Sequence, residues 1–247
     1  EVPYSSSGSR RPWPLPAEPW VMHMRWRELL FAHWEVDEGL LRRLVPPGLE
    51  LDLFEGRGYI GAVSFLMENT RPRFTPPIPG LHAFPELNLR TYVTAEGKPG
   101  VWFFSLDAEQ KLAVRAARRF FHLPYFDAKF DVAIDNDEIR YRAVRTHRGA
   151  GAAAFEATYC PVGDVYQSIP GTLEAWVTDR YCLYSADNAG AVYRCEIDHA
   201  PWPLQRAEAD IRVNTLGDWL GIRMPGKPEM LHFARSLDVH GWLLRRV

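Results

Sequence analysis

Between residues 126 and 134, apolar Phe126, Ala128, Phe130, Val132 and Ile134 alternate with Asp127, Lys129 and Asp131. Side chains of a strand point to opposite faces in turn, so this period of two predicts a strand with one apolar face. Strands are likewise predicted in "MHMRWRELLFAHWEV" (22–36), "YIGAVSFLM" (59–67) and "VWFFSL" (101–106). "IRYRAVRTH" and "AAFEATYC" predict a hairpin, and most of the chain beyond residue 180 reads as strand. Helical signals are fewer. Leu40, Leu41 and Leu44 form a stripe behind Asp37, and Pro46, Pro47 and Gly48 end it. The clearest helix is "DAEQKLAVRAARRFF", with Asp107 as N-cap and Gln110 completing a capping box. Leu112, Ala113, Ala116, Ala117 and Phe120 make its apolar face, while Lys111, Arg115, Arg118 and Arg119 lie off it and read as a solvated surface. Short helices are predicted in 171–180 and near "NTLGDWLG". The expected class is α+β, mainly antiparallel β, with a few helices packed on the sheet.

One strand departs from the pattern. In "FPELNLRTYV" (84–93), Pro85, Leu87, Leu89, Thr91 and Val93 share a face that reads as core. Phe84, Glu86, Asn88, Arg90 and Tyr92 share the other, polar in the middle and aromatic at both ends. Two readings stand: a face turned to water, or the interior of a small barrel where acid, amide and base line a ligand pocket. Same-face neighbours lie about 7 Å apart, so Glu86 and Arg90 are roughly twice that distance apart and unsuited to a simple salt bridge. Each is then free for a ligand.

Composition narrows the function classes. The 247 residues are 47% hydrophobic, enough for one large core, and residues 21–247 read as a single domain without repeat or linker. Residues 1–20, rich in Pro and Ser, read as a loosely held arm. A net charge of −2 gives no basic field to attract nucleic acid or an anionic membrane. No apolar run approaches the ~20 residues needed to span a bilayer. The start has no apolar stretch of the signal-peptide kind, so a cytoplasmic protein is expected. Cys160, Cys182 and Cys195 fit no metal spacing and read as reduced, buried thiols.

The usual chemical motifs are weak. "GAGAAA" (149–154) matches a dinucleotide fingerprint, but the arginine-bearing segment before it is no buried Rossmann strand, and a hairpin tip is the better reading. Asp198, His199, His232, Asp238 and His240 would form a metal site only if folding gathered them. No G-x-S-x-G elbow occurs. No cofactor and no metal are expected.

The segments "LLFAHWEVDEGLLRRLVPPGLELD", "FPELNLRTYV", "GVWFFSLDA", "RYCLY" and "APWPLQ" resemble the YqjF-like uncharacterised family, domain of unknown function 2071, over residues 21–247. That family is placed in the acetoacetate decarboxylase-like superfamily. The resemblance implies a closed, cone-shaped β-barrel with a few packed helices, and it admits a homo-oligomer. In the decarboxylases a lysine with a lysine neighbour forms a Schiff base with a β-keto acid. Where their Pro-Lys-Lys stands, this chain reads Pro124-Tyr125-Phe126. The resemblance matches a family glutamate to Glu86 and an arginine to Arg27, while a second glutamate falls near Ile60 and is absent. The four lysines offer no replacement: Lys98 and Lys227 lie in turns, Lys111 on a charged helix face, and Lys129 between two aspartates.

Two functions follow as expectations. The first is a non-covalent acid/base enzyme of lyase, hydratase or tautomerase type on a small oxo acid. Glu86 is its acid or base, Tyr125 its proton donor or oxyanion stabiliser, and Arg27 or Arg90 its carboxylate clamp. The second is a non-catalytic module in which Phe84, Asn88, Arg90 and Tyr92 hold a small anionic or aromatic ligand. In phase with Asp127 and Lys129, Tyr125 faces outward by simple parity, which counts against the first. A partner-binding surface on the Trp-rich arm is a third.

Overall fold

The computed structural model describes residues 8–76, 83–110, 115, 118–119 and 121–247. In chain order the elements are β1 (Met22–Val36), α1 (Glu38–Leu44), β2 (Glu50–Leu51), β3 (Gly58–Pro72), β4 (Ala83–Ala95) and β5 (Lys98–Ala108). There follow β6 (Tyr125–Asp135), β7 (Glu138–Arg145), β8 (Ala154–Tyr166), α2 (Leu173–Thr178), β9 (Cys182–Ala186) and β10 (Val192–His199). The chain ends with β11 (Leu204–Asn214), a 3-10 turn at Asp218–Leu220, β12 (Met230–Gly241) and β13 (Arg245–Arg246). Among the described residues no helix is long and apolar enough to cross a membrane.

The strands close on themselves. β1 pairs with β12 and β3, β3 with β4, and β4 with β5. β5 runs parallel to β9, β9 pairs with β10, and β10 returns to β12. A second path leaves at β5 through β6, β7, β8 and β11 and also rejoins at β12. Apart from the β5–β6 and β5–β9 contacts, the pairings are antiparallel.

This topology gives the ring strands two buried faces, which is why β1 contains the unbroken apolar run Leu29–Ala32. Leu29 and Phe31 join Val63, Phe65, Phe103 and Leu106 inside the ring. Leu30 and Ala32 pack outward with Leu87 and Leu89 against Tyr141, Ala143, Phe155 and Tyr159 of the second path. α2 docks at the ring: Trp176 lies against Phe54, Tyr59 and Tyr92, and Thr178 O accepts from Trp202 Nε1.

Several expectations hold. Asp37 caps α1 by accepting from Leu40 N at 2.8 Å. The 149–154 segment joins β7 to β8, and the short turns of helix form at 173–178 and 218–220. Others fail. Asp107 is no helix cap: β5 continues to Ala108 by pairing with β6, and Asp107 forms a two-pronged ion pair with Arg145 at 2.7 Å, both side chains buried. Residues 115, 118, 119 and 121 are helical and the three arginines are exposed; Lys111 and the apolar face of that helix lie outside the described residues. The arm is held beyond residue 8. Arg11, its side chain buried, donates to the carbonyls of Tyr181 and Ile197 and pairs with Glu196, which also accepts from Trp13. All three cysteines are free thiols, but Cys160 is only partly buried.

Candidate active site

The inner face of the ring encloses a cavity of about 320 Å³. Its wall is largely apolar, with Met24, Trp26, Phe65, Phe103 and Trp202 among the lining side chains. Phe84, Glu86, Asn88 and Arg90 reach it from β4, so the polar face of "FPELNLRTYV" points into the barrel and not to water. The β3–β4 register runs without interruption from 83 to 91, which keeps these side chains on one face.

Glu86 is 2% exposed. Its Oε2 accepts a hydrogen bond from the Tyr125 hydroxyl at 2.8 Å, while Oε1 has no partner among the described residues. Burial raises the carboxyl from its ordinary 4.5 to about 8; the Tyr125 bond opposes this and the Asp107 charge adds to it. Glu86 is therefore mostly a neutral acid at pH 7. Burial and the adjoining carboxyl push the Tyr125 hydroxyl well above its usual range, so it stays protonated. From the outer core, the Tyr141 hydroxyl donates to the Glu86 carbonyl at 2.8 Å and fixes the strand behind the acid.

Tyr125 faces the cavity although it shares strand parity with Asp127 and Lys129. It stands where β6 is still paired with β5, at Leu106↔Tyr125, and there that face is barrel wall. Four residues on, β6 pairs with β7 instead and the same face meets solvent at Lys129. Parity is kept; the surroundings change.

Arg27 and Tyr92 are not where the sequence reading put them. Strict alternation places Arg27 in phase with Leu29 and Phe31, but Glu28 adopts φ +52° at a register shift between Arg27 and Leu30. That bulge turns Arg27 outward, where it pairs with Glu68 at 3.0 Å and Glu28 at 3.2 Å. Tyr92 is fully buried beside Trp176, its hydroxyl 2.7 Å from His33 Nε2 and donating to Val177 O, and it does not line the cavity.

Arg90 and Arg180 supply the cations of the site. Arg90 makes a long bond, 3.4 Å, to Val177 O and lies over the rings of Phe31 and Tyr92; it has no carboxylate partner among the described residues, and its Nε is unpaired. Arg180 is paired with Asp52, leaving Nη2 unpaired. His199 also lines the wall, and burial lowers its basicity, so it is neutral. Asn88 Oδ1 is buried without a partner. Arg180, Trp26 and Trp202 were missed, and His199 was read only as a conditional metal ligand, because they come from β1 and from segments around β9 and β10, which only the closed ring brings opposite β4. The "RYCLY" segment, which contributes to the family resemblance, carried the one signal for Arg180.

The described lining includes no lysine. Lys98 Nζ donates to Glu196 at 2.7 Å, Lys129 and Lys227 are exposed, and Lys111 lies outside the described residues.

The model of the DUF2071 family, described as "Uncharacterized conserved protein", matches residues 23–238. The "Uncharacterized protein YqjF" of Bacillus subtilis (strain 168) is 47% identical over 227 residues, covering 92% of this chain and 93% of its own. The enduracididine biosynthesis enzyme MppR complexed with pyruvate has a similar fold, with a TM-score of 0.63 at 15% identity over 99% of this chain and 95% of its own. An acetoacetate decarboxylase gives 0.60 at 16% identity, covering 94% and 90%. An acetoacetate decarboxylase-like enzyme from Sphingomonas wittichii RW1 gives 0.62 at 11% identity, covering 97% and 99%. At such identities these likenesses establish the fold alone. On the family match and the relation to YqjF, the chain belongs to the DUF2071 family of YqjF-like proteins, on an acetoacetate decarboxylase-like fold.

Proposed function

We propose that this cavity performs non-covalent acid/base chemistry on a small oxo acid, of lyase, hydratase or tautomerase type. The observation that carries the reading is the Tyr125–Glu86 contact at 2.8 Å inside an apolar cavity. Tyr125 fixes one carboxyl oxygen and leaves the other open to a ligand. With its pKa near 8, Glu86 donates a proton to a carbonyl at neutral pH and, in its ionised fraction, removes one from the adjacent carbon. Arg90 attracts the carboxylate. The absence of lysine from the described lining supports a route without an imine.

The test is deuterium incorporation next to the carbonyl of oxo acids in D2O, followed by NMR. Exchange is expected with the native protein, rising with pH to a plateau above about 8 as the base form of Glu86 accumulates. Glu86→Gln abolishes it and Tyr125→Phe slows it. Borohydride added with the oxo acid leaves the protein mass unchanged. Exchange that survives Glu86→Gln, or an imine adduct on the protein, defeats the reading.

A second reading rests on the lining itself: most of it is apolar or aromatic, and Glu86 Oε2 is already occupied. In that case the cavity holds its ligand without turnover, and saturable binding appears with no exchange.

A further inference from the structure

We infer that Asn88 donates to the carbonyl oxygen of the ligand and stabilises the negative charge that gathers there as the proton on the adjacent carbon leaves. The inference rests on the acid/base reading of the site and deepens it by adding a catalytic residue.

Once Glu86 acts as the base, the carbonyl oxygen needs another donor. The Tyr125 hydroxyl is taken by Glu86 Oε2, and Thr178 Oγ1 donates to Glu174 O. Both ring nitrogens of His199 lie against backbone carbonyls, and Arg180 is paired with Asp52. Trp202 and Trp242 donate to backbone carbonyls, and Trp26 Nε1 is sealed from the cavity. Thr70 stands on β3 five residues beyond Phe65, the partner of Glu86, and its Oγ1 is sealed as well.

Asn88 remains. It is 4% exposed and lines the cavity. Its amide has no hydrogen-bond partner among the described residues: Oδ1 is sealed off, while Nδ2 is open to the cavity. A primary amide left unpaired in an apolar wall is costly, and a ligand oxygen that accepts from it relieves that cost.

Register sets this amide beside the acid. Asn88 pairs with Leu106 of β5, and Leu106 pairs on its other side with Tyr125, so Asn88 and Tyr125 stand level across that strand. Glu86 reaches the Tyr125 hydroxyl and so leans along β4 toward the level of Asn88. Their Cα atoms are ~7 Å apart, and the lean brings the side-chain ends closer. A carbonyl oxygen ~3 Å from Nδ2 and an adjacent carbon ~3 Å from Glu86 Oε1 bridge that gap. The ionised Glu86 takes the proton, the C–H pair becomes the C=C bond of an enolate, and the carbonyl pair moves to its oxygen, where the Asn88 N–H meets it. A deuteron acquired by Glu86 from D2O then returns to carbon and restores the ketone, so no co-reactant is needed. A donor aimed at charge that forms only during reaction speeds the step without tightening ground-state binding.

The experiment is deuterium exchange into pyruvate by the full chain, comparing the native protein with Asn88→Leu and Asn88→Ser. Leu keeps the branched shape and cannot donate; Ser keeps a donor. Asn88→Leu lowers kcat about 10²–10³-fold with KM changed by less than about threefold, and Asn88→Ser recovers part of the loss. Because the amide is unpaired in the free protein, Asn88→Leu keeps or raises the urea midpoint, which a merely structural asparagine would not allow. The native protein supplies a second measurement: the side-chain amide NMR signals of Asn88, assigned with Asn88→Ser, shift downfield when pyruvate is added. Exchange by Asn88→Leu within about threefold of native, a loss confined to KM, or amide signals indifferent to pyruvate overturns the inference. Exchange that survives Glu86→Gln yet falls in Asn88→Leu defeats the acid/base reading and upholds Asn88. Exchange lost in Glu86→Gln and unchanged in Asn88→Leu does the reverse. No exchange by the native protein defeats both.

Discussion

Replacing Glu86 by Gln is expected to stabilise the protein above neutral pH and leave it nearly unchanged in acid. The carboxyl moves from 4.5 in the open chain to about 8 in the fold because burial penalises its charge. Between those values the folded state binds more protons than the unfolded one, so stability falls as pH rises. The contribution is complete below pH 4.5, declines by ~1.4 kcal/mol per pH unit, and levels off above about 8. The whole interval corresponds to about 5 kcal/mol, and about 3 kcal/mol is already lost at pH 7. Gln has the shape of the neutral acid, still accepts from Tyr125, and carries no proton linkage. Urea unfolding of both proteins at pH 4, 7 and 9 reads the difference directly, and titrating groups that do not interact with Glu86 cancel in the comparison. Near-equality at pH 4, with an advantage of the Glu86→Gln variant growing to several kcal/mol at pH 9, is the expected result. A difference that stays flat from pH 4 to 9 means that Glu86 titrates as an ordinary carboxylate, and the neutral-acid reading fails.

Three further outcomes follow from the same geometry. Tyr125→Phe removes the one bond that lowers the Glu86 pKa, so the carboxyl midpoint moves above about 8, as a 13C-NMR titration would register. Arg145→Ala strands a buried Asp107 and is expected to cost about 3–5 kcal/mol in denaturant unfolding. Arg27→Gln, at an outward-facing, partly exposed position, changes stability by about 1 kcal/mol or less and leaves deuterium exchange into oxo acids unaltered.

The pocket-bearing strand was legible because its two faces differ in kind: Leu87 and Leu89 belong to the outer core, and Glu86, Asn88 and Arg90 to the cavity. Composition and alternation likewise foretold a mainly antiparallel sheet. What period-two reading does not encode is a change of period or of neighbour. The positive φ at Glu28 reverses the facing of Arg27 relative to Leu29, and nothing in "RWRELL" marks it. Tyr125 is the converse case: its parity was read correctly, but the face it occupies becomes a cavity wall through contact with β5. Asp107 had the composition of a cap and was claimed instead by Arg145, a partner 38 positions away. Long-range closure also explains why Arg180 escaped notice and why His199 was not read as a cavity residue, since only the β10–β12 pairing completes the wall they stand in.

The central claim is that Glu86 is a protonated carboxyl facing a ligand cavity, and a 13C-NMR titration of the Glu86 carboxyl, assigned with Glu86→Gln, tests it most directly. The account predicts a single midpoint near 8, displaced when a small oxo acid fills the cavity. A midpoint near 4.5 that is indifferent to added ligand would contradict it.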